Sequence, residues 1–370
     1  MNQQRRKRVI ISGGGTGGHV FPAISIANAL QKIDPAVEIL FVGAEGRMEM
    51  EKVPAAGYRI VGLPVAGISR NHAFMNFTVF FRLLKSLRLA KKVIKEFKPD
   101  VVVGVGGYAS GPVLRQSGKM GIPTLIQEQN SYAGVTNKLL AKRASVICVA
   151  YDGMDKYFPV DKIIKTGNPV RQNFDNLENL RDEALTFFNL KKEYPVILVL
   201  GGSLGAGSIN NCFSENIKTL AECDCQWLWQ TGKHYFEDVK NLVSKSYTEN
   251  ISVRGFIDRM DYAYAAANII ITRAGAETIS ELYLVGKPVI LVPSPNVAED
   301  HQTKNAMALV DRDAAMMIPD NQVEKTLLKE AVKLVSDKPK KELFSSNILK
   351  MADRNADIRI AQEVLRLAER

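Results

Sequence analysis

Short apolar runs alternate along the whole chain with longer stretches in which apolar residues recur at helical spacing. Buried strands separated by helices in this way are typical of βαβ units on parallel sheets, which places the chain in the α/β class. The pattern predicts ten strands: Val9–Ser12, Ile39–Val42, Val101–Val103, Thr124–Ile126, Val146–Val149, Val196–Leu200, Trp227–Gln230, Ile251–Arg254, Ile269–Thr272 and Val289–Val292.

The two halves of the chain repeat one arrangement. The strand 9–12 runs into GGGTGG, and the strand 196–200 runs into GGSLGAGS. Later in each half, GIPTLI at 121–126 corresponds to GKPVIL at 286–291. We therefore expect two tandem Rossmann-like domains, with glycine loops facing a cleft at the carboxyl ends of the strands.

The domain boundary is expected where TGNPVR contains the helix-breaking pair Asn168-Pro169. This divides the chain into residues 1–168 and 169–350. The last residues, 351–370, are helical in pattern with no strand after them, so they are free to pack on either domain.

Charge separates the halves. Residues 1–168 contain 24 Lys and Arg against 11 Asp and Glu, whereas residues 169–370 contain 25 against 28. The positive excess in the first half suits an anionic partner such as a phosphorylated ligand, nucleic acid or a membrane surface. The four cysteines lack zinc-type spacing and suggest structural thiols in a reducing cytoplasm, and we expect no signal peptide and no membrane-spanning segment.

The segment VIISGGGTGGHVFP at 9–22 carries the clearest chemistry. A strand, a glycine loop and a helix start let backbone N–H groups face an anion without Cβ atoms in the way. His19 adds a group that accepts a proton near neutral pH, so it is a candidate general base, although it also suits a role in ordering the loop. The glycines of this loop and of 104–107 are predicted to bind phosphate, to allow tight packing, or both.

Seven segments together, in this order, resemble the MurG family of bacterial glycosyltransferases. They are GGGTGGHVFPA (13–23), VGVGGYASGP (103–112), QEQNSYAGVTNK (127–138), TGNPVR (166–171), GGSLGA (201–206), GFIDRM (255–260) and RAGAETISEL (273–282). The resemblance implies a GT-B fold and an inverting transfer of N-acetylglucosamine from UDP-N-acetylglucosamine. The implied acceptor is the 4-hydroxyl of the muramyl-pentapeptide linked to undecaprenyl diphosphate, so that lipid I becomes lipid II at the cytoplasmic face of the inner membrane.

The resemblance also implies a role for individual residues. His19 is the expected base, with a first-domain set for the acceptor diphosphate: Gly14, Gly15, Gly106, Gly107 and Asn137. A second set is expected to bind the donor: Thr16, Gly17, Gly18, Asn130, Arg171, Ser203, Ile257, Glu281 and Gln302. Among these, Ile257 reads uracil through its backbone and Glu281 accepts both ribose hydroxyls. Some of these polar residues also have a purely structural alternative. Asn130 and Asn137 would bond their own turn backbone, Arg171 would be a surface arginine, and Glu281 would be a carboxylate in a first helical turn.

Two features depart from the family pattern or resemble another one. His301 stands where a second glutamine is expected beside Gln302, which leaves sugar specificity open. Asp311-Arg-Asp313 matches the D-x-D metal signature, but it is expected to lie late in the chain, in a helical stretch and not after a central strand. We expect no metal and no cofactor at the site, and no nucleic-acid partner.

Residues 72–92 combine an apolar helical stripe with cations. The stripe contains Phe74, Phe77, Phe81 and Leu84, and the flanking cations include Lys85 and Arg88. This composition suits a helix at an anionic bilayer surface, although a helix facing the core shows the same stripe.

Several other functions fit part of the pattern. A UDP-N-acetylglucosamine 2-epimerase or a diacylglycerol glycosyltransferase shares the fold, but the epimerase needs further acid–base residues in the cleft. A nicotinamide-dependent oxidoreductase would use Glu45 for the ribose and leaves the second half unexplained. A non-catalytic sugar-nucleotide-binding subunit is the remaining alternative.

Overall fold

The computed structural model describes residues 5–65, 73–170, 174, 176–202, 205–246, 248–297 and 300–369, with the backbone alone for 73–80. The chain divides into two compact units. The first contains Met1–Arg171 together with Asn355–Arg370, and the second contains Gln172–Arg354.

The first unit is built on a parallel sheet of seven strands in the order β3-β2-β1-β4-β5-β6-β7. The strands are β1 (Arg8–Ser12), β2 (Glu38–Ala44), β3 (Arg59–Leu63), β4 (Val101–Gly104), β5 (Thr124–Glu128), β6 (Val146–Val149) and β7 (Ile163–Lys165). Helices cover both faces: α1 (Gly17–Ile33), α2 (Glu49–Ala55), α3 (Ala73–Phe97), α4 (Ser110–Lys119) and α5 (Val135–Leu140). Two apolar clusters, one on each face, form the core of this unit.

The second unit contains a parallel sheet of six strands in the order β10-β9-β8-β11-β12-β13. The strands are β8 (Val196–Leu200), β9 (Gln226–Gln230), β10 (Ile251–Arg254), β11 (Ile269–Thr272), β12 (Val289–Leu291) and β13 (Met316–Met317). Its helices are α6 (Arg181–Phe188), α7 (Gly207–Glu215), α8 (Ile217–Ala221), α9 (Phe236–Lys245), α10 (Met260–Ala266), α11 (Ala276–Val285), α12 (His301–Val310), α13 (Val323–Ser336) and α14 (Lys338–Leu349).

The C-terminal helix α15 (Ala356–Ala368) belongs to the first unit and packs against α1. Its apolar face is buried in the same cluster as α1. At one end, Lys7 Nζ donates to Glu369 Oε1 at 2.8 Å, and nearer the other end Arg359 donates to the Thr166 carbonyl at 2.5 Å. These contacts join the two ends of the chain in one unit.

The two parallel sheets confirm the α/β class and the Rossmann-like pattern. All ten predicted strands are present, and β12 ends at Leu291, one residue before its predicted end. Among the described residues, no helix is both long enough and apolar enough to span a bilayer.

Candidate functional site

Two glycine loops of the first unit, 13–16 after β1 and 105–109 after β4, lie directly against each other. A Cβ at Gly107 would lie 2.3 Å from the Gly14 carbonyl oxygen, which is closer than real Cβ contacts. Gly106 and Gly107 also have φ values of +94° and +83°, in the left-handed region that favours glycine. The two loops therefore keep this contact only as long as these positions carry no side chain.

His19 lies in the first turn of α1, where the two loops meet. Its Nδ1 lies 3.2 Å from Thr16 Oγ1, and a Cβ at Gly106 would lie 2.9 Å from its Nε2. The ring is half-buried. Burial lowers the pKa of His19 below 6.5, whereas the charge of Glu49 and a hydrogen bond to the Gly14 carbonyl act in the opposite direction. The imidazole is therefore mainly neutral at pH 7, the form that accepts a proton.

Glu49, at the start of α2, is a buried carboxylate that the sequence analysis did not identify. It is 1% exposed. Its Oε2 accepts the Gly15 N–H at 3.0 Å, and its Oε1 accepts the Ala44 N–H at 2.9 Å. The N–H of Gly15, a residue expected in the diphosphate loop, therefore points toward Glu49.

Another buried carboxylate, Glu128, organises the loop after β5. It accepts the N–H and Nδ2 of Asn130 at 3.1 and 3.3 Å, the Gly134 N–H at 2.9 Å and Asn137 Nδ2 at 2.9 Å. Asn137 is 2% exposed, and its buried Oδ1 has no hydrogen-bond partner. Both asparagines expected at the site therefore bind this carboxylate.

Three buried amide side chains connect the end of β5 to the second glycine loop. Gln129 Nε2 donates to the Val105 carbonyl at 2.7 Å and to Gln127 Oε1 at 2.5 Å. Gln127 Nε2 donates to Asn168 Oδ1 at 3.1 Å, and Asn168 Nδ2 returns to the Gln129 carbonyl at 3.1 Å. This network holds Val105 and therefore the loop that faces His19.

In the second unit, a third glycine loop follows β8. A Cβ at Gly205 would lie 2.5 Å from the Thr231 carbonyl oxygen, so this loop packs closely on the end of β9. Ser203, within the loop, and Arg171 both lie outside the described residues. Ile257 is 3% exposed, and its N–H donates to Gln230 Oε1 at 2.9 Å. Because this N–H is already bonded, only the Ile257 carbonyl could take part in a backbone contact to a nucleobase.

Glu281 lies in the middle of α11 and not in its first turn, contrary to the expectation. The helix begins at Ala276, so Glu277 is the first-turn carboxylate. Tyr264 donates to Glu281 Oε2 at 3.0 Å. Burial, followed by the charge of Glu281, raises the pKa of Glu277 well above its ordinary value, and Glu277 Oε1 is buried without a hydrogen-bond partner.

Two side chains, one from α12 and one from the loop after β11, hold the loop after β12. Gln302 Oε1 accepts the Ser294 N–H at 2.9 Å. Arg273 Nη1 donates to the Val292 and Pro293 carbonyls, both at 3.2 Å. It also pairs with Asp320 Oδ1 at 2.5 Å.

Asn305 is a second residue missed by the sequence analysis, with its Nδ2 on the Ala274 carbonyl and its buried Oδ1 unpartnered. Neither Glu49 nor Asn305 has a distinctive local motif, because each contacts the site through residues far away in the sequence.

The described part of the chain contains no group of three or more metal-binding side chains. Asp311 and Asp313 of the D-x-D sequence lie in the turn after α12. The four cysteines are free thiols, and burial raises the pKa of Cys148 and of Cys225 to about 12.

The middle of α3 exposes apolar side chains beside cations. Phe81 and Leu84 are 55% and 36% exposed, and Lys85 and Arg88 are also exposed. Farther along, α3 buries Ala90, Val93 and Ile94 in the core, so the helix packs through its C-terminal half. The side chains of Phe74 and Phe77 lie outside the described residues.

Comparison with known proteins agrees with this architecture. Residues 9–149 match the glycosyltransferase family 28 N-terminal domain, and residues 196–362 match the family's C-terminal domain. The chain belongs to glycosyltransferase family 28. A similar curated relative is the UDP-N-acetylglucosamine--N-acetylmuramyl-(pentapeptide) pyrophosphoryl-undecaprenol N-acetylglucosamine transferase of Parabacteroides distasonis. It is 57% identical and covers 99% of this chain and 100% of its own.

Solved structures agree with the family assignment. Acinetobacter baumannii MurG is 28% identical, with a TM-score of 0.72 over 97% of this chain and 99% of that one. A UDP-N-acetylglucosamine 2-epimerase is 16% identical, with a TM-score of 0.68 over 98% and 96%. The epimerase likeness concerns the fold alone.

Proposed function

We propose that this chain transfers N-acetylglucosamine from UDP-N-acetylglucosamine to the muramyl-pentapeptide linked to undecaprenyl diphosphate. The product is a β-linked disaccharide on the lipid, so lipid I becomes lipid II. The observation that carries this proposal is the 57% identity, over the full length of both chains, to a relative named for that activity. The fold and the glycine loops agree with it, and the individual site roles below belong to the same proposal.

In this reaction His19 acts as the general base. Its mainly neutral imidazole takes the proton of the acceptor 4-hydroxyl as the hydroxyl oxygen attacks the anomeric carbon. The bond from that carbon to the UDP oxygen breaks with inversion, and UDP leaves with the bonding electrons. The position of His19 where two glycine loops meet supports this role, since a side chain at Gly106 would lie against the ring, with its Cβ 2.9 Å from Nε2.

The remaining residues divide between the substrates. In the first unit, Gly14, Gly15, Gly106, Gly107 and Asn137 are proposed to form the surroundings of the acceptor diphosphate. Because the Gly15 N–H and the Asn137 amide are already bonded within the protein, these two residues contribute shape rather than those donors.

For the donor, Glu281 accepts the ribose hydroxyls, Ile257 contacts uracil and Gln302 contacts the sugar through its Nε2. Tyr264 supports the assignment of Glu281, because it holds one carboxylate oxygen in place. Arg171 and Ser203 are proposed to offset the charge of the leaving diphosphate. Thr16, Gly17, Gly18 and Asn130 complete the proposed donor set.

We also propose that the first unit binds an anionic membrane surface through α3, at the cytoplasmic face of the inner membrane. The exposed Phe81 and Leu84 beside Lys85 and Arg88 support this, since apolar insertion and cation–lipid attraction act together. Reversing Lys85 and Arg88 to Glu should reduce binding to anionic vesicles strongly and to neutral vesicles little. Reversal of Lys240 and Lys245 on α9 of the second unit is the matched control.

The decisive assay is UDP release from UDP-N-acetylglucosamine with and without a lipid I analogue. We expect acceptor-dependent release that falls by at least about 100-fold in His19→Ala, because general-base catalysis contributes roughly that much. His234→Ala, an exposed histidine of the second unit, is the control. Donor turnover without acceptor would instead favour the epimerase, and near-full turnover by His19→Ala would remove the base assignment.

A further inference from the structure

The buried carboxylate of Glu49 has no role in the function proposed so far. It lies beneath the first glycine loop, 1% exposed, and its two oxygens accept backbone N–H groups from Gly15 and Ala44. Burying a charged carboxylate is costly unless hydrogen bonds compensate it. These two hydrogen bonds hold the carboxylate directly behind the loop that leads to His19.

A single peptide unit connects this carboxylate to the histidine. The N–H of the Gly14–Gly15 peptide donates to Glu49 Oε2 at 3.0 Å. The C=O of the same peptide, which belongs to Gly14, faces the His19 ring and favours the protonated form of the ring. The amide is planar and conjugated, so negative charge at its N–H end makes its oxygen a stronger acceptor.

We propose that Glu49 is a positioning residue for His19, acting through the Gly14–Gly15 peptide unit to orient the imidazole and stabilise the imidazolium formed during transfer. The proposal rests on the proposed function, in which His19 receives the acceptor proton. In the Ser-His-Asp triad a buried carboxylate performs this task by direct contact with the imidazole. Here one backbone amide lies between the two groups.

Within the described part of the chain, the other groups placed against the ring are uncharged. On its own helix the partner is the Thr16 hydroxyl, 3.2 Å from Nδ1. From the loop after β4 the ring meets Gly106, and Gln129 Oε1 lies 3.9 Å from the position of a Gly106 Cβ. Glu49 is the charged side chain that raises the pKa of His19 against the effect of burial. Removing its charge should therefore lower that pKa further.

The test is an NMR pH titration of the His19 ring in the full chain, comparing wild type, Glu49→Gln and Glu51→Gln. The chain has 4 histidines, and a His19→Gln variant assigns the signal. We expect the His19 pKa to fall by about one unit in Glu49→Gln, as for loss of a nearby opposite charge. It should not change in Glu51→Gln, which removes an exposed charge from the same helix.

Kinetics add a readout that a purely structural role would not change. In Glu49→Gln, kcat for acceptor-dependent UDP release should fall roughly 10- to 100-fold while KM for the donor stays the same. The acidic limb of the pH–rate profile should also move to lower pH. An unchanged His19 pKa in a folded Glu49→Gln protein overturns the proposal, whatever the rate.

A wild-type measurement covers the case in which Glu49→Gln does not fold. The amide ¹H–¹⁵N signal of Gly15 should titrate with the pKa of His19, because both groups share the peptide unit. If the chemical shift of the Gly15 amide does not change as His19 becomes protonated, the coupling is refuted. Absence of acceptor-dependent UDP release in wild type would instead refute the proposed function, and the titration would still decide whether Glu49 and His19 interact.

Discussion

Replacing Gly107 by alanine tests whether the contact between the two glycine loops is as tight as the structure shows. A Cβ at this position would lie 2.3 Å from the Gly14 carbonyl oxygen, and φ is +83°. Gly121 is a matched control in the same unit, because it has φ of +75° but nothing within 4 Å of its Cβ position. The pair separates the steric clash from the cost of the left-handed backbone.

The expected costs differ for the two variants. Gly121→Ala should lower the free energy of unfolding by about 1–2 kcal/mol, the penalty of a left-handed backbone for a residue with a Cβ. Gly107→Ala carries the same penalty and adds about 1–3 kcal/mol for forcing two backbones apart. The difference between the variants, about 1–3 kcal/mol, is therefore the measure of the loop contact.

Urea unfolding followed by two probes makes the measurement. Both tryptophans, Trp227 and Trp229, lie in the second unit, so their fluorescence should show an unchanged transition in either variant. Far-UV circular dichroism should show a first-unit transition at lower urea, more so for Gly107→Ala. UDP release should fall only in Gly107→Ala. Equal destabilisation by the two substitutions would refute the reasoning, since the clash would then contribute nothing.

Three further predictions concern titration and donor binding. Because the pKa of Glu277 is raised in the folded chain, wild type should lose stability as pH rises above about 4.3, the ordinary pKa of glutamate. At pH 8, Glu277→Gln should have a higher free energy of unfolding than wild type. Urea unfolding should show this difference becoming smaller as the pH falls toward 4. A difference that does not depend on pH would contradict the prediction.

Tyr264→Phe should weaken UDP binding roughly fivefold by calorimetry, the value of about one hydrogen bond, because Glu281 loses its orienting donor. Tyr262→Phe, on the same helix, should leave UDP binding unchanged. Equal affinities for wild type and both variants would count against ribose binding by Glu281. Finally, kcat/KM should decline only below pH 6.5, reflecting the lowered pKa of His19, and a midpoint above 7 would exclude it as the titrating base.

The strands that sequence reasoning found and missed differ in burial. The ten predicted strands appear as apolar runs, and those at the sheet centres are buried on both faces, as in β1 and β8. The three missed strands, β3, β7 and β13, lie at sheet edges. β7 is only 3 residues long and β13 only 2, and both are partly exposed. A solvated side weakens the apolar signal of an edge strand, and of the four edge strands only β10 was predicted.

Site residues follow a different rule. The glycine loops and His19 form a local motif, so the sequence alone identifies them as candidates. Glu49 and Glu128 carry no such signal. The partners of Glu49 are backbone N–H groups, one of them on the first glycine loop 34 residues away. Glu128 binds N–H groups and asparagine side chains of the loop that follows it, and this role is recognisable only once the loop is folded. The position of Glu281 depended on where α11 begins, and the motif could not place that residue within one turn.

The structure also divides the glycines that sequence reasoning assigned jointly to anion binding and tight packing. A Cβ at Gly13 would lie 2.1 Å from Val105 Cγ2, and one at Gly107 would meet the Gly14 oxygen, so packing alone requires glycine there. At Gly15, by contrast, nothing lies within 4 Å of the Cβ position. Open space above a backbone with positive φ leaves room for a phosphate group. Gly15→Ala should therefore reduce turnover far more than it reduces the free energy of unfolding, whereas Gly13→Ala should reduce both.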